Sequence, residues 1–166
     1  MASLRDEGIP AAAVRAYLDE LGLPRHDVRL DLARLRRLAI DAIAAMPDAE
    51  LAAAADAPVS LARALRGART LTEARALARQ ILEPEPVALG EDAAPTLQRF
   101  AELVAGAEAL DRERAREVVR ELKAVGGDLK ALRLALTGAE RGPELWTVLV
   151  ALPREELLRR AGAALR

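Results

Sequence analysis

Apolar residues recur every three or four positions along most of the chain, and polar residues fill the positions between them. One such stripe comprises Leu32, Leu35, Leu38, Ala39, Ile43 and Met46. This spacing places the apolar side chains on one face of an α-helix. Nowhere do apolar residues alternate over a strand's length without helical spacing fitting better, and β-branched residues are few. The pattern therefore predicts an all-α fold, a helical bundle of about eight to ten short helices.

Capping residues and helix stops divide this pattern into segments. Aspartate and threonine side chains can accept hydrogen bonds from the first backbone N–H groups of a helix, and glycine readily ends one. We therefore predict N-caps at Asp31, Asp111 and Asp128, a capping box formed by Thr70 and Glu73, and helix ends at Gly22 and Gly138. The first predicted helix covers 10–21, the helices capped by Asp31, Asp111 and Asp128 run to about 46, 125 and 137, a short segment follows Ser60 and ends near Gly67, the helix with the capping box runs to about Leu82, another covers 95–104, and two more open at Pro143 and Pro153.

The sequence Glu83-Pro84-Glu85-Pro86 is the best candidate for a domain boundary. Proline cannot occupy a helix interior without loss of a hydrogen bond, and each proline pushes the preceding residue toward extended geometry. We therefore predict two helical subdomains, 1–83 and 84–166.

The overall charge argues against a binder that holds nucleic acid by a general basic excess. The 166 residues carry a formal net charge of −1, and the pI is near 6.0. Any RNA binding must therefore be local. Cysteine is absent, which excludes disulfides and thiolate zinc sites, and no apolar run reaches membrane-spanning length. The N-terminus lacks a signal-peptide core. We expect a cytoplasmic protein with no cofactor, no metal and no membrane contact.

The segment 129–145 carries the strongest functional signal. Its apolar helix ends at Gly138, and Gly142-Pro143 opens the next helix, since proline suits the first helical position. Arg133 and Thr137 are four residues apart and share a helix face. A guanidinium and a hydroxyl should therefore stand beside the open backbone of the loop between the two helices. That arrangement suits an unstacked nucleotide base.

The same segment resembles the C-terminal, anticodon-binding part of bacterial glutamyl-tRNA synthetases. The resemblance rests on Leu132-Arg133, Leu136-Thr137-Gly138, Gly142-Pro143 and Leu145, and it continues to Leu158-Arg159-Arg160. It implies a fold similar to the helical cage that binds the anticodon in those class I enzymes. The RNA-binding site predicted here comprises Lys130, Arg133, Thr137, Gly142, Pro143 and Leu145. Arg120 is a further candidate if the alignment with the family contains a gap before Gly126.

The N-terminal half resembles the same family as well, so the resemblance spans the whole chain and is weak only in its middle. Gly8-Ile9-Pro10 with Tyr17-Leu18, and Leu30-Asp31-Leu32 with Ile43, look like the two helices that follow the catalytic loop in those synthetases. The sequence departs from the family's tryptophan, asparagine and tyrosine, because Arg37, Ala39 and Ala42 stand in their places.

The catalytic signatures of such a synthetase are missing. The chain has neither a HIGH-type nor a KMSKS-type motif, and its sole histidine is His26, expected in an exposed loop. A nucleophilic triad lacks its usual parts, because cysteine is absent and serine occurs only at Ser3 and Ser60. We expect a non-catalytic, stand-alone anticodon-binding domain that binds tRNA in trans, with the tRNA for glutamate considered first.

Other interpretations remain open at this point. The chain could have lost RNA binding and act as a helical protein-interaction module that docks on a full-length synthetase, an amidotransferase or itself. It could also be an accessory subunit in tRNA-modifying or amidotransferase chemistry. Among single residues, Thr137 could bond only to the last carbonyls of its own helix, and Trp146 is expected to pack in the core rather than stack on a base.

Overall fold

The computed structural model describes residues 3–22 and 29–165, and this part of the chain is helical without any strand. The prediction of an all-α fold is confirmed. His26 lies outside the described residues. The α-helices are α1 (Ala11–Leu21), α2 (Leu32–Ala45), α3 (Asp48–Ala54), α4 (Ala62–Leu65), α5 (Leu71–Leu82), α6 (Ala94–Ala105), α7 (Arg112–Ala124), α8 (Leu129–Thr137), α9 (Leu145–Ala151) and α10 (Arg154–Ala163), with short 3₁₀ turns at Val59–Leu61 and Glu91–Ala93.

The chain forms two compact units, Met1–Ala78 and Arg79–Arg166. The division falls inside α5, a few residues before the predicted junction at 83/84. None of the helices in the described ranges is long and apolar enough to cross a membrane.

In the first unit, α1 packs against α2 around Tyr17. The Tyr17 hydroxyl accepts a hydrogen bond from the backbone N–H of Asp31 at 2.8 Å, and the Asp31 carboxylate in turn caps α2 through Arg34 N at 3.0 Å. The α3 helix was not predicted, because the alanine-rich segment around it has little contrast between polar and apolar positions. It nevertheless buries Leu51 fully.

In the second unit, helices α6 to α10 surround a common apolar core. Its largest fully buried side chains include Leu97, Phe100, Leu122, Leu132, Leu136 and Leu149. Burial of each such side chain contributes about 1.5 to 3 kcal/mol relative to exposure. This core supports the face on which the predicted site residues lie.

The predicted caps at Asp111 and Asp128 form as well. The Asp111 carboxylate accepts from Arg114 N at 2.8 Å, and the Asp128 carboxylate accepts from Lys130 N and Ala131 N, each at 2.9 Å. Two boundary predictions are wrong. Pro143 does not open a helix, since α9 begins two residues later, and Ser60 lies inside a 3₁₀ turn rather than before a helix.

A buried arginine joins the ends of two helices in the second unit. The Arg160 side chain is 5% exposed. Its Nη1 donates to the carbonyls of Ile81 and Leu136 at 2.6 Å each, and its Nη2 donates to Leu82 O at 3.2 Å. Its Nε donates to Glu156 at 2.6 Å. The carbonyls at the ends of α5 and α8 have no partner within their own helices, so one guanidinium satisfies groups from both.

Glu156 binds two neighbouring arginines. Hydrogen bonds from Arg159 and, to a smaller extent, from Arg160 lower the pKa of Glu156 to about 2, against partial burial, which acts in the opposite direction. Glu156 is therefore ionised at neutral pH and partly neutralises the buried charge of Arg160.

Candidate nucleic-acid interface

The α8 helix holds the predicted site between two well-defined ends. At its start, Thr96 on α6 accepts a hydrogen bond from the backbone N–H of Asp128 at 2.9 Å, which anchors the cap to the core. At its end, Gly138 adopts the left-handed conformation, with φ of 67°, and donates to Leu134 O at 2.8 Å. A side chain at Gly138 would also meet the backbone of Glu85, whose carbonyl oxygen would lie 2.8 Å from the new Cβ. Glycine is therefore required at this position.

Three of the predicted residues line one open groove. Lys130 and Arg133 on α8 and Leu145 at the start of α9 border a groove of about 440 Å³. Its remaining lining residues are Val119, Leu129, Glu140, Glu144 and Trp146. Sequence spacing alone predicts that Lys130 and Arg133 lie on the same face of α8. The contribution of residues from α7 and α9 to the groove follows only from the tertiary structure.

Arg133 is partly committed to the protein itself. It is half-buried, and its Nη1 donates a hydrogen bond to the carbonyl of Pro143. Burial lowers the pKa of Arg133 from its usual value. The guanidinium nevertheless keeps its charge at neutral pH, because the ordinary pKa of arginine lies several units above neutrality. Arg133 therefore braces the 138–144 loop and presents only its remaining N–H groups to the groove.

Thr137 does not face the groove in the way its spacing suggested. It is 1% exposed, and its hydroxyl donates to the carbonyl of Arg133 at 2.9 Å, with Ala139 O at 3.4 Å. The interpretation that Thr137 bonds only backbone near its own helix end fits these contacts. Thr137 supports the loop but is not available to a ligand.

The loop keeps part of the open backbone that the sequence predicted. The carbonyl of Pro143 is occupied by Arg133, and the carbonyl of Arg141 lies 3.5 Å from the amide nitrogen of Gln80. The backbone N–H groups of residues 139–142, however, donate to no partner within the described part of the chain. Gly142 has room for a Cβ at ordinary contact distances, 3.5 Å from Gln80 Nε2, but its φ of 156° is one that L-residues rarely adopt, so the backbone conformation favours glycine there.

A row of arginines on α7 extends this surface. Arg112, Arg116 and Arg120 are spaced four residues apart, lie on one face of the helix and are exposed. None of the three forms an ion pair with any carboxylate among the described residues, although Asp111 and Glu113 border the same depression. Arg114 points elsewhere, where it pairs with Glu117 and Glu121 at 2.6 and 3.2 Å.

The sequence prediction included only Arg120 from this row. The signal for all three was readable, because arginines at positions i, i+4 and i+8 of a helix form a continuous stripe. What the spacing could not tell is which of the helix's arginines would be engaged by glutamates.

Trp146 joins the arginine row to the groove. The indole is half-buried rather than packed in the core, so the core prediction for this residue is wrong. The guanidinium of Arg116 lies 4.4 Å from the ring centroid, and that of Arg112 lies 5.5 Å from it. Both are within the range of cation–π attraction. The indole N–H donates to Glu144 at 2.5 Å.

Carboxylates moderate the positive charge of the groove. Lys130 forms a 2.9 Å ion pair with Glu140, and both side chains are more than half exposed. Such a pair contributes about 0 to 1 kcal/mol, so Lys130 can exchange Glu140 for another anion. The unpaired positive charge is therefore concentrated on the α7 side of the surface.

Fold and surface together define an all-α protein with a basic helix face beside a half-buried aromatic ring. Within residues 3–22 and 29–165, no group of acidic or histidine side chains is arranged to hold a metal ion. The sequence matches no protein-family model, and a search of curated proteins found no significant match.

Proposed function

We propose that this chain binds RNA through the surface formed by α7, α8 and the start of α9, and that it does so without catalysing a reaction. The observation that best supports this proposal is the exposed row of Arg112, Arg116 and Arg120, which have no ion-pair partners among the described residues. Four residues of α-helix rise about 6 Å, so the row offers a line of separate cations. A phosphate backbone can follow such a line and gains affinity from the release of its counterions.

The neighbouring groove supplies contacts of the kind that a base requires. Lys130 and Arg133 are charged donors on its lining, and Leu145 with Trp146 provides apolar surface. The adjoining loop contributes Glu140 to the lining, and the backbone N–H groups of residues 139–142 have no acceptor in the described part of the chain. Proteins recognise RNA sequence mainly through unpaired bases that are splayed onto the protein surface. A flipped base in the groove and phosphates along α7 would use both halves of the surface at once.

Transfer RNA is the RNA class that we propose first, and the tRNA for glutamate within it. This choice rests on the sequence resemblance of Leu132-Arg133, Leu136-Thr137-Gly138 and Gly142-Pro143 to glutamyl-tRNA synthetases. The proposed role is recognition of tRNA in trans, in the cytoplasm. The near-neutral net charge of −1 implies modest affinity, because the protein as a whole exerts no net long-range attraction on RNA.

Arg120→Ala gives the cleanest test. Arg120 is exposed and has no polar partner among the described residues, so its removal should leave the fold unchanged. Arg114→Ala is the matched control, since it removes the same charge from the same helix on another face. Fluorescence anisotropy with labelled tRNA, at about 50 and 200 mM salt, measures both affinity and salt dependence.

We expect Arg120→Ala to weaken binding and to reduce the slope of log K against log salt by about 0.7 to 0.9, the value for one lost phosphate contact. Arg114→Ala should match the parent protein. Arg133→Ala is a poorer test, because Arg133 also holds the loop through Pro143 O. The assignment would be refuted if the double variant that combines Arg116→Ala with Arg120→Ala bound tRNA as tightly as the parent protein does. Absence of any tRNA binding would favour the protein-interaction alternative.

A further inference from the structure

An apolar groove in the first unit is separate from the surface described above. It has a volume of about 780 Å³ and lies between α1, the turn that precedes it and the start of α5. Its apolar lining includes Leu4, Ile9, Val14, Leu18 and Leu71. Leu18 is 58% exposed, so it adds accessible apolar surface to this groove.

The backbone around this groove is tightly fixed. Leu71 N donates to Gly8 O at 2.8 Å, and Ile9 N donates to Leu4 O at 3.0 Å. Gly8 has φ of 74°, and a Cβ there would lie 2.5 Å from Thr72 N, so the turn passes directly over the start of α5. The groove is therefore preformed, and a ligand need not order it on binding.

The charge at the groove has one sign. Arg5, Arg15 and Arg75 lie on its lining, and no acidic side chain does. Arg75 is held in place because its Nε donates to Ala54 O at 2.8 Å, and no other hydrogen bond engages its terminal nitrogens within the described residues. Arg5 and Arg15 are exposed and form no ion pair with any described residue.

We propose that this groove binds an amphipathic helix of a partner protein, with apolar side chains on one face and aspartate or glutamate residues flanking them. Helices bind such grooves by inserting apolar residues spaced i, i+3 or i+4, and i+7. Val14 and Leu18 are themselves one turn apart, so they form a ridge along which such a helix can lie. The three arginines favour acidic flanks, because complementary charge speeds and selects the encounter.

The test uses the full chain as bait for a displayed library of random helical peptides. We expect enriched peptides to carry apolar residues at helical spacing with acidic neighbours. Binding of an enriched peptide, measured by fluorescence anisotropy, should fall at least tenfold on Leu18→Glu. Val59→Glu is the matched control, since Val59 is 56% exposed in the same unit but does not line the groove, and it should bind like the parent.

A charge-reversal experiment distinguishes specific binding in the groove from non-specific hydrophobic binding. The Arg15→Glu variant should bind the acidic peptide more weakly than the parent protein does. It should bind more tightly a version of that peptide in which lysine replaces glutamate. Circular dichroism verifies that each variant is folded. The proposal is overturned if no enriched peptide depends on Leu18, if the enriched peptides are basic, or if sedimentation shows that a Leu18-dependent self-association occupies the groove instead.

Discussion

Loss of the Arg160 side chain should strongly destabilise the second unit. Truncation to alanine removes donors from three carbonyls, those of Ile81, Leu82 and Leu136, and from the Glu156 carboxylate. Each unsatisfied buried group costs about 1 to 3 kcal/mol, and partial access of water reduces the sum. Breaking a buried charged pair from one side costs about 3 to 5 kcal/mol. We therefore expect Arg160→Ala to lose about 4 kcal/mol of unfolding free energy.

Urea unfolding followed by tryptophan fluorescence measures this loss. The chain has one tryptophan, Trp146, and it lies in the same unit as Arg160, so the signal reports that unit. With a slope near 2 kcal/mol per molar urea, a loss of 4 kcal/mol lowers the midpoint by about 2 M.

The adjacent Arg159 provides the control for this experiment. It binds the same Glu156 but its side chain is 63% exposed, so solvent screens the interaction. Arg159→Ala should lose less than about 1 kcal/mol. A loss below about 1 kcal/mol for Arg160→Ala, or equal losses for the two variants, would refute the reasoning that the buried contacts of Arg160 join the helix ends.

Three further predictions use the same urea assay. The pKa of Glu156 is about 2 in the folded protein and about 4.5 in the unfolded chain. The contribution of ionised Glu156 to the unfolding free energy is therefore complete above pH 4.5 and is lost as the pH falls toward 2. Glu156→Gln should therefore be less stable than the parent at pH 7 and nearly equal to it near the folded pKa. Asp128→Ala removes the cap of α8 and should lose about 1 kcal/mol. Gly138→Ala should lose about 1 to 3 kcal/mol through its positive φ and the contact with Glu85 O, whereas Gly162→Ala, with open space around it, should lose nothing.

Helix caps were predictable because they are local. A capping aspartate accepts from N–H groups two or three residues later, so the sequence contains both partners. Asp31, Asp111 and Asp128 all bind as their sequence neighbours indicate. Pro143 was mispredicted for a related reason, because a proline after glycine is compatible with both a loop and a first helical turn.

The roles of the arginines were not predictable in the same way. Arg120, Arg133 and Arg160 have the same side chain and all lie on amphipathic helices. Arg120 is exposed, and Arg133 braces a loop. Arg160 is buried against carbonyl groups, one of which, Ile81 O, is 79 positions away in the sequence. Sequence spacing describes which face a residue shares with its neighbours, but not what packs against that face.

The amino-acid sequence by itself determined that the chain is all-α, where most helices begin and end, and which segment bends between α8 and α9. These features depend on hydrogen bonds and apolar periodicity within a few residues. Only the tertiary structure decided that Trp146 lies under arginines of α7, that Thr137 is sequestered, and that Arg160 is internal. Those outcomes depend on contacts between helices that are distant in sequence, where burial and the satisfaction of carbonyl groups select one arrangement.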